Sequence, residues 1–502
     1  MLFNKPANRK LKTFFVAGLM TTVVGCATST ESFTKDDREN RIQTDLGGLY
    51  AGQKPISGAM TLGEAIARSL SYNLDHRLKK MEAAVAVRQY EFDKHGLLPR
   101  LVADAGYSER SNDPGARSIN LETGEESLPS STSQERETET ANLSLTWNVL
   151  DFGLSYYTAK QNSDQIHISE ERRRKTVQNI SQDVIDAFWK AWIAQTLSPK
   201  VEALLAETRE ALAESRRLVK QGVQNSSEAL RSQGELLGTI NTLIEIRERI
   251  DLSKVRLAAL INVAPGSEYE LSAPTVLDAP AEISQNYDEL TRIALLNRPE
   301  LREEDYRKRI TENDVKKAFL RYYPNLNLFA STNYDNNEFL VNNSFGVVGW
   351  GITWDLLGIF QADSERKFRE AQIDVADSRR LALSMAVTTQ VYLSAIRYEL
   401  AVDRYEAASE LFEVRKNLEK NSSIRGARTS GLDTLNARSA AIASELRRSL
   451  AFAETQTAFA RVINSIGIDP VPDSVNSLEL STLSNQFDKR WSSMTKGVLS
   501  DF

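Results

Sequence analysis

A chain of 502 residues with a formal net charge of −6 offers no strong basic surface for nucleic acid. The mean hydropathy is −0.38, and no apolar run reaches the roughly 18 residues that a membrane-spanning helix needs. The three histidines, His76, His95 and His167, lie far apart in sequence, and no metal-ligand spacing, nucleophile elbow or glycine-rich phosphate loop occurs. We therefore expect neither an enzyme nor a bound cofactor or metal.

Residues 1–25 have the pattern of a targeting segment, with a basic region over 5–12 and an apolar region over 14–24. Val23-Val24-Gly25-Cys26 follows and resembles a bacterial lipobox, which predicts that Cys26 is acylated as the first residue of the mature chain. Cys26 is the only cysteine, so it can form no internal disulfide. The alternative is an ordinary cleavage site beside an incidental cysteine. Ala27, rather than Asp, favours outer-membrane sorting by the same resemblance.

The segment 26–60 is polar and turn-rich, which predicts an extended, lipidated N-terminal segment. A helix is predicted from Thr61 to about His95, with Gly96 at its end. The apolar positions of this helix are Leu62, Ile66, Leu70, Leu74 and Leu78.

A first β-hairpin is predicted over about 99–150. It begins at Pro99, which is tolerated at the start of a strand because its missing N–H is not needed there. The returning strand alternates apolar Leu143, Leu145, Trp147 and Val149 with polar residues. The intervening segment 108–140 is rich in Ser, Thr and Glu, so we predict a solvated loop.

Two long helices are predicted, one after Gly153 to Gln221 with a kink at Pro199, and one over 361–425 without Gly or Pro. A 3–4 spacing on the second predicts a coiled-coil seam of Leu393, Ile396, Leu400, Ala407, Leu411, Val414 and Leu418. Each long helix reverses through a Gly-containing turn into a return helix. In the first return helix, a stripe wide enough for two neighbours comprises Ala229, Leu236, Leu243, Ile250 and Leu257, with Leu230, Leu237 and Ile244 beside them.

A second hairpin is predicted over about 324–358, where Pro324 matches Pro99 and Ile352-Thr353-Trp354 matches Leu145-Thr146-Trp147. The chain therefore reads as a tandem repeat of roughly two hundred residues, each copy with one hairpin. The predicted organisation is residues 1–25, 26–60, a first repeat 61–285, a second repeat 286–470 and a C-terminal tail 471–502.

The two hairpins carry apolar residues on one face and Asn, Ser and Thr on the other, which favours a barrel wall with a lipid face and a polar lumen. Core packing of the tryptophans is the alternative. Four strands cannot close a barrel, so we expect the chain to oligomerise. The predicted lipid-facing residues are Leu143, Leu145, Trp147, Val348, Trp350, Ile352 and Trp354.

Residues 294–334, ALLNRPELREEDYRKRITENDVKKAFLRYYPNLNLFASTNY, resemble the sequence leading into the second hairpin of TolC-like outer-membrane efflux proteins. The first copy repeats this more loosely over 73–101, and the resemblance covers about 60–470. It implies a mainly α-helical lipoprotein with a β-barrel portion: a homotrimer with a twelve-stranded outer-membrane barrel and a periplasmic helical tunnel. It also implies two partners, a periplasmic adaptor protein and an inner-membrane pump or ABC transporter.

In that family the tip of the second copy carries Gly-x-Arg followed by two aspartates that narrow the entrance. Here Gly426-Ala427-Arg428 matches, Asp433 fits the first aspartate with one extra residue between, and Asn436 stands where the second would be. The resemblance thus makes Arg428, Asp433 and Asn436 the candidate periplasmic gate. The alternative is that Arg428 and Asp433 are solvated turn residues.

Three functions remain open. The first is a passive exit duct for small molecules in a tripartite efflux system. The second is the outer-membrane channel of a type I protein secretion system, which uses the same architecture. The third is a structural coiled-coil lipoprotein that bridges outer membrane and cell wall, although a tether needs no barrel.

Overall fold

The computed structural model describes residues 32–126, 129–221, 226–273, 279–424, 431–472, 479–496 and 499. Its helices are α1 (Lys35–Leu49), α2 (Leu62–Tyr72), α3 (Leu74–Asp93), α4 (Val149–Lys220), α5 (Ser226–Leu260), α6 (Tyr287–Asn297), α7 (Pro299–Leu320), α8 (Ala362–Ile424), α9 (Gly431–Ser465) and α10 (Leu480–Met494). Its strands are β1 (Arg100–Glu109), β2 (Glu137–Asn148), β3 (Asn325–Asp335) and β4 (Ser344–Thr353). Within these residues, no helix combines the length and the apolar composition needed to cross a membrane.

The chain divides into two units, residues 1–54 and 55–502. The described part of the smaller unit holds α1, so the prediction of an extended segment over 26–60 is wrong for residues 35–49. Thr34 caps this helix: its hydroxyl accepts from the Asp37 N–H at 3.2 Å, and the Asp37 carboxylate accepts from the Thr34 N–H at 2.9 Å. This reciprocal capping box satisfies two donors at the start of the helix. No residue of α1 is buried.

In the larger unit, α4 packs against α5, α9, α7 and α3, while α8 packs against α9. Fully or nearly fully buried side chains concentrate at the middle of α4, where Phe188 and Leu197 are at most 1% exposed. Phe452 of α9 and Phe487 of α10 belong to the same apolar cluster. The tail therefore contains a packed helix, α10, that the sequence analysis did not predict.

The predicted single helix over 61–95 is wrong, because it is broken at Asn73. Asn73 has extended backbone angles (φ −60°, ψ 130°), and its side chain accepts from the N–H groups of Asp75 and His76. Its amide also donates to the carbonyl of Leu260 at 3.1 Å, the last residue of α5. One asparagine thus ends α2, starts α3 and caps α5.

The second repeat has the same break at Arg298, between α6 and α7. Arg298 also has extended backbone angles, and Pro299 occupies the first turn of α7. The Arg298 guanidinium, 4% exposed, donates to the carbonyls of Asn464 and Ser465 at 3.2 Å each. A different side chain therefore caps the equivalent return helix, α9.

Both return helices end in the same backbone motif, with left-handed Asn262 (φ 58°) after α5 and left-handed Gly467 (φ 77°) after α9. In the first, the N–H of Val263 donates to Ala258 at 2.8 Å. In the second, the N–H of Ile468 donates to Ile463 at 3.2 Å. Together with a second bond inside each turn, these are Schellman motifs. The repeat read from INVAPG and IGIDP is thus visible as a repeated helix cap.

The predicted seam on α8 faces away from the chain's own core. Leu393, Ile396 and Leu400 are 48%, 43% and 48% exposed. The residues that pack against α9 and α6 instead include Val387, Val391, Ala395, Tyr398, Ala401, Ala408 and Phe412, all buried. On α5 the inner half of the predicted stripe is buried, at Ala229, Leu236, Leu243 and Leu257, and the outer half is exposed, at Leu230, Leu237 and Ile244. The side chain of Ile250 lies outside the described residues.

The four strands form one antiparallel sheet in the order β1-β2-β3-β4. The two hairpins are joined by pairing of β2 with β3, from Thr140 opposite Asp335 to Asn148 opposite Asn327. Val149, predicted as a strand residue, is the first residue of α4 instead, because Asn148 caps that helix through the Asp151 N–H. Between β1 and β2 the described residues add two isolated bridges, Ala116 with Ser131 and Ile119 with Glu126.

Candidate functional site

One face of the sheet is an exposed apolar surface that runs across all four strands. The register places Leu145 opposite Ala330, and Ala330 opposite Val348. Leu328 likewise stands opposite both Trp147 and Trp350. Because opposed residues in a sheet share a face, six of the seven predicted lipid-facing residues lie on this surface. They are Leu143, Leu145, Trp147, Val348, Trp350 and Ile352, between 39% and 86% exposed.

Trp354, the seventh residue, lies one position beyond the end of β4. It is 50% exposed, and its indole N–H donates to the carbonyl of Tyr322 at 3.0 Å, just before β3 begins. At the corresponding end of β2, the ring of Trp147 meets Phe152 edge-on at 5.8 Å. Trp147 and Trp354 therefore lie at the strand ends nearest the helices. The prediction that Trp354 belongs to the strand is wrong, because β4 ends at Thr353.

The opposite face is lined by amide and hydroxyl groups. Asn142 Nδ2 donates to Asn333 Oδ1 at 2.8 Å across β2 and β3, and Asn148 stands opposite Asn327. Among the residues that the structure describes, the Oδ1 atoms of Asn142, Asn325 and Asn327 have no hydrogen-bond partner. Three acceptors on the polar face of the sheet thus remain for water or a solute.

Phe329 is an aromatic side chain on this polar face. It stands opposite Gly349, and a Cβ added to Gly349 would lie 2.5 Å from the tip of the Phe329 ring. The glycine therefore provides the space into which the ring folds, close to the sheet surface.

The candidate gate falls mostly outside the described residues. Arg428 lies in the undescribed range 425–430, and the side chain of Asp433 is likewise outside the description, although its backbone belongs to the first turn of α9. Asn436 is half-buried. The contacts among these three side chains therefore lie outside the described residues, and the gate stays a prediction. Cys26 also lies outside the described residues.

In its N-terminal half, α9 forms ion pairs with α4 and α8 that the sequence analysis missed. Arg438 donates to Glu207 of α4 at 2.5 Å and lies 3.8 Å from Glu419 of α8. Lys200 of α4 donates to both carboxylate oxygens of Glu445, at 2.7 and 2.9 Å. These groups are partly exposed, so each pair contributes only about 0–1 kcal/mol. Arg438 and Glu207 lie 231 residues apart, so no local sequence pattern could have predicted their pairing.

A second charged network lies where α4 meets the cap of α9. Arg174 donates to Asp469 at 2.7 Å and to Glu171 at 2.6 Å, and Gln178 donates to Asp469 at 2.8 Å. Glu171 is 5% exposed in its side chain and also pairs with Arg302 at 3.0 Å. Burial raises the pKa of Glu171 in spite of its two guanidinium partners. Within the described residues, no group of His, Cys, Asp and Glu could hold a metal ion.

Comparison with known proteins agrees with this architecture. Residues 67–263 match the model of the outer membrane efflux protein family, so the resemblance predicted from the sequence is confirmed there. The comparison with curated proteins gave no match.

Three solved structures have a fold similar to that of this chain. The open-state MtrE outer membrane channel of Neisseria gonorrhoeae has a TM-score of 0.63 at 17% identity, covering 81% of this chain and 89% of that one. The CmeC outer membrane channel of Campylobacter jejuni has a TM-score of 0.64 at 14% identity, covering 91% and 96%. The outer membrane protein VceC of Vibrio cholerae has a TM-score of 0.59 at 14% identity, covering 81% and 96%.

Proposed function

We propose that this chain, whose residues 67–263 match the outer membrane efflux protein family, is the channel subunit of an export system. In this proposal three copies form a passive exit duct for small molecules across the periplasm and the outer membrane. The observation that carries the proposal is one sheet with an exposed apolar face and a polar opposite face, attached to helices of 72 and 63 residues.

The sheet alone is incomplete as a membrane structure. Its outer strands, β1 and β4, each pair on one side only within the sheet, and lipid tolerates no unpaired backbone groups. Pairing of β1 with β4 of the next copy would satisfy both edges. Three copies of a four-stranded sheet then give the twelve strands that the family resemblance implies.

The helices supply the length of the duct. At 1.5 Å per residue, α4 and α8 would extend roughly 100 Å. The exposed apolar residues on α8 and α5 would lie between copies, which explains their exposure in one chain. A passive duct catalyses no reaction. The energy for export would come from an inner-membrane pump or ABC transporter that reaches the duct through a periplasmic adaptor. Chemical cross-linking to those partners in cells would distinguish small-molecule efflux from protein secretion.

The proposal is tested by two adjacent valines on β4, Val347 on the polar face and Val348 on the apolar face. We expect Val347→Cys to react with a membrane-impermeant maleimide in intact reconstituted vesicles. Val348→Cys should react only with a lipid-soluble maleimide. Equal labelling of both positions by the impermeant reagent would show that neither face meets lipid. Reconstitution in planar bilayers should give stepwise conductance, and its absence with both sites labelled equally would reject the channel.

A further inference from the structure

A small cavity of about 20 Å³ lies where α4 packs against α9 and the turn that caps it. Apolar side chains form most of its wall, and Ile185, Ile463, Ile468 and Met494 among them are between 1% and 5% exposed. A buried water molecule needs about 10–15 Å³ of such space. The cavity therefore suits a water molecule and is too small for an organic ligand.

Gln178 and Ser181 line the polar side of this cavity, three residues apart on one face of α4. Both are 3% exposed. The Gln178 amide nitrogen donates to the carbonyl of Gly467 at 3.1 Å and to Asp469 at 2.8 Å, which leaves Oε1 as the acceptor to be paired. Among the described residues, Gln178 Oε1 and Ser181 Oγ are buried atoms without a hydrogen-bond partner. Two such atoms beside one cavity call for a ligand, because an unpaired buried polar atom destabilises the fold.

The other buried polar residue of the cavity, Asn464, is already paired through both ends of its amide. Its Nδ2 donates to Asn179 at 3.1 Å and to Gln182 at 2.9 Å. Its Oδ1 accepts from the Lys175 ammonium at 3.0 Å. The amide is therefore held by these three side chains, and pairing of the two remaining atoms requires a molecule inside the cavity.

We propose that this cavity binds one structural water molecule that bridges Gln178 and Ser181. The water donates a hydrogen to Gln178 Oε1 and accepts one from the Ser181 hydroxyl, so that both buried groups are satisfied. A cavity lined by unpaired polar atoms holds water, whereas cavities that stay dry are apolar throughout. This site lies in the helical part of the chain and does not depend on the channel function.

The direct test is a structure of the purified full chain at a resolution that shows ordered water. We expect density for one oxygen atom at about 2.6–3.2 Å from both Gln178 Oε1 and Ser181 Oγ. A direct hydrogen bond between these two side chains, with no density in the cavity, would overturn the proposal.

X-ray radiolysis in solution gives a second test, because hydroxyl radicals form from buried water as well as from bulk water. Met494 lines the cavity and is 1% exposed. Met60, which is 0% exposed and belongs to the apolar core cluster, is the matched reference. We expect mass spectrometry to show sulfoxide forming several-fold faster at Met494 than at Met60.

Ser181→Val puts a methyl group in the place of the water, so it should lower the oxidation rate of Met494 to that of Met60. Ser444→Val is the control, because Ser444 is a buried serine of α9 whose hydroxyl donates to the carbonyl of Ala441 at 2.8 Å. It should leave the Met494 rate unchanged. Circular dichroism checks that each variant is folded. The proposal fails if Met494 reacts no faster than Met60, or if folded Ser181→Val keeps the fast rate.

Discussion

On β4, adjacent residues face opposite sides of the sheet, so in the proposed barrel a single position decides whether a charge meets lipid or water. Ile352 stands opposite Leu326 on the apolar face, and Thr353 stands opposite Asn325 on the polar face. Ile352 is the second-last residue of β4 and therefore near the interface, so we expect Ile352→Arg to destabilise the inserted protein by about 1 kcal/mol. Thr353→Arg should cost far less. Urea unfolding in lipid vesicles measures both, and equal losses would contradict the assignment of the two faces.

The predicted acylation of Cys26 depends only on the sequence pattern of residues 1–25 before it. We expect cleavage before Cys26 and a diacylglyceryl thioether on its sulfur, visible by mass spectrometry of the mature N-terminus. Cys26→Ser should remove that mass and weaken sorting to the outer membrane. Conductance should remain intact, because the proposed barrel forms the pore without the lipid anchor. An unmodified Cys26 in outer-membrane fractions would rule out the lipobox interpretation.

The face of a strand residue was predictable because alternation is a local property that the sequence carries directly. The two buried caps were not. Asn73 and Arg298 look like ordinary polar residues, and their partners Leu260 and Asn464 lie 187 and 166 residues away. Residue propensities also did not predict that β2 ends at Asn148. The alternating pattern continues to Val149, but the Asn148 side chain accepts a hydrogen bond from the Asp151 N–H and caps α4 there.

At the scale of elements, the turn after α9 tolerates no side chain. An added Cβ at Gly467 would lie 2.7 Å from the backbone nitrogen of Arg298, and its φ is 77°. We expect Gly467→Ala to destabilise the fold by roughly 2–4 kcal/mol, combining left-handed strain with overpacking of the α6–α7 break. The measurement is thermal unfolding followed by helical circular dichroism.

Gly238 in α5 is the matched control, because nothing lies within 4 Å of an added Cβ there. Gly238→Ala should be neutral or stabilise the helix by about 0.5–1 kcal/mol. If the two substitutions have the same effect, the close approach at Gly467 does not contribute to stability.

Element lengths and types in the repeats follow from periodicity, but the partner of each face does not. The 3–4 spacing on α8 correctly indicated an apolar stripe, yet the buried face is the one with Val391, Tyr398 and Phe412. Both faces of this helix are apolar, so spacing alone cannot tell which one packs inside a single chain. The helix α10 was missed because its apolar contacts, Leu483 and Phe487, are few and widely flanked by polar residues.

At the scale of the molecule, the proposed entrance combines three copies of the turn that carries Arg428 and Asp433. An Asp ring favours cations and holds helix ends together through exposed pairs worth about 0–1 kcal/mol each. We expect Asp433→Ala to raise conductance in planar bilayers and reduce cation preference, with assembly unchanged. Glu413→Ala, an exposed acid within α8, is the control. Unchanged conductance with failed assembly would make Asp433 a structural turn residue.

The exposed apolar stripe of α8 is a candidate contact surface between copies of the chain. Leu400 is 48% exposed in one chain and shares its stripe with Leu393, Ile396, Val414 and Leu418, which are between 43% and 56% exposed. Monomeric proteins rarely expose a continuous apolar surface of this length, and association would bury it. If the chain is the proposed trimer, we expect Leu400→Glu to shift the purified protein to monomer, because a carboxylate would be desolvated in each of the three interfaces.

Leu400→Met keeps an apolar side chain of similar volume at the same position and should remain trimeric. Because Leu400 is half exposed in the single chain, neither substitution should lower helical content, which circular dichroism would check. Light scattering in detergent gives the mass of each assembly. A folded Leu400→Glu variant that stays trimeric would show that this stripe lies outside the contact between copies, and the stripe on α5 would then be the surface to change.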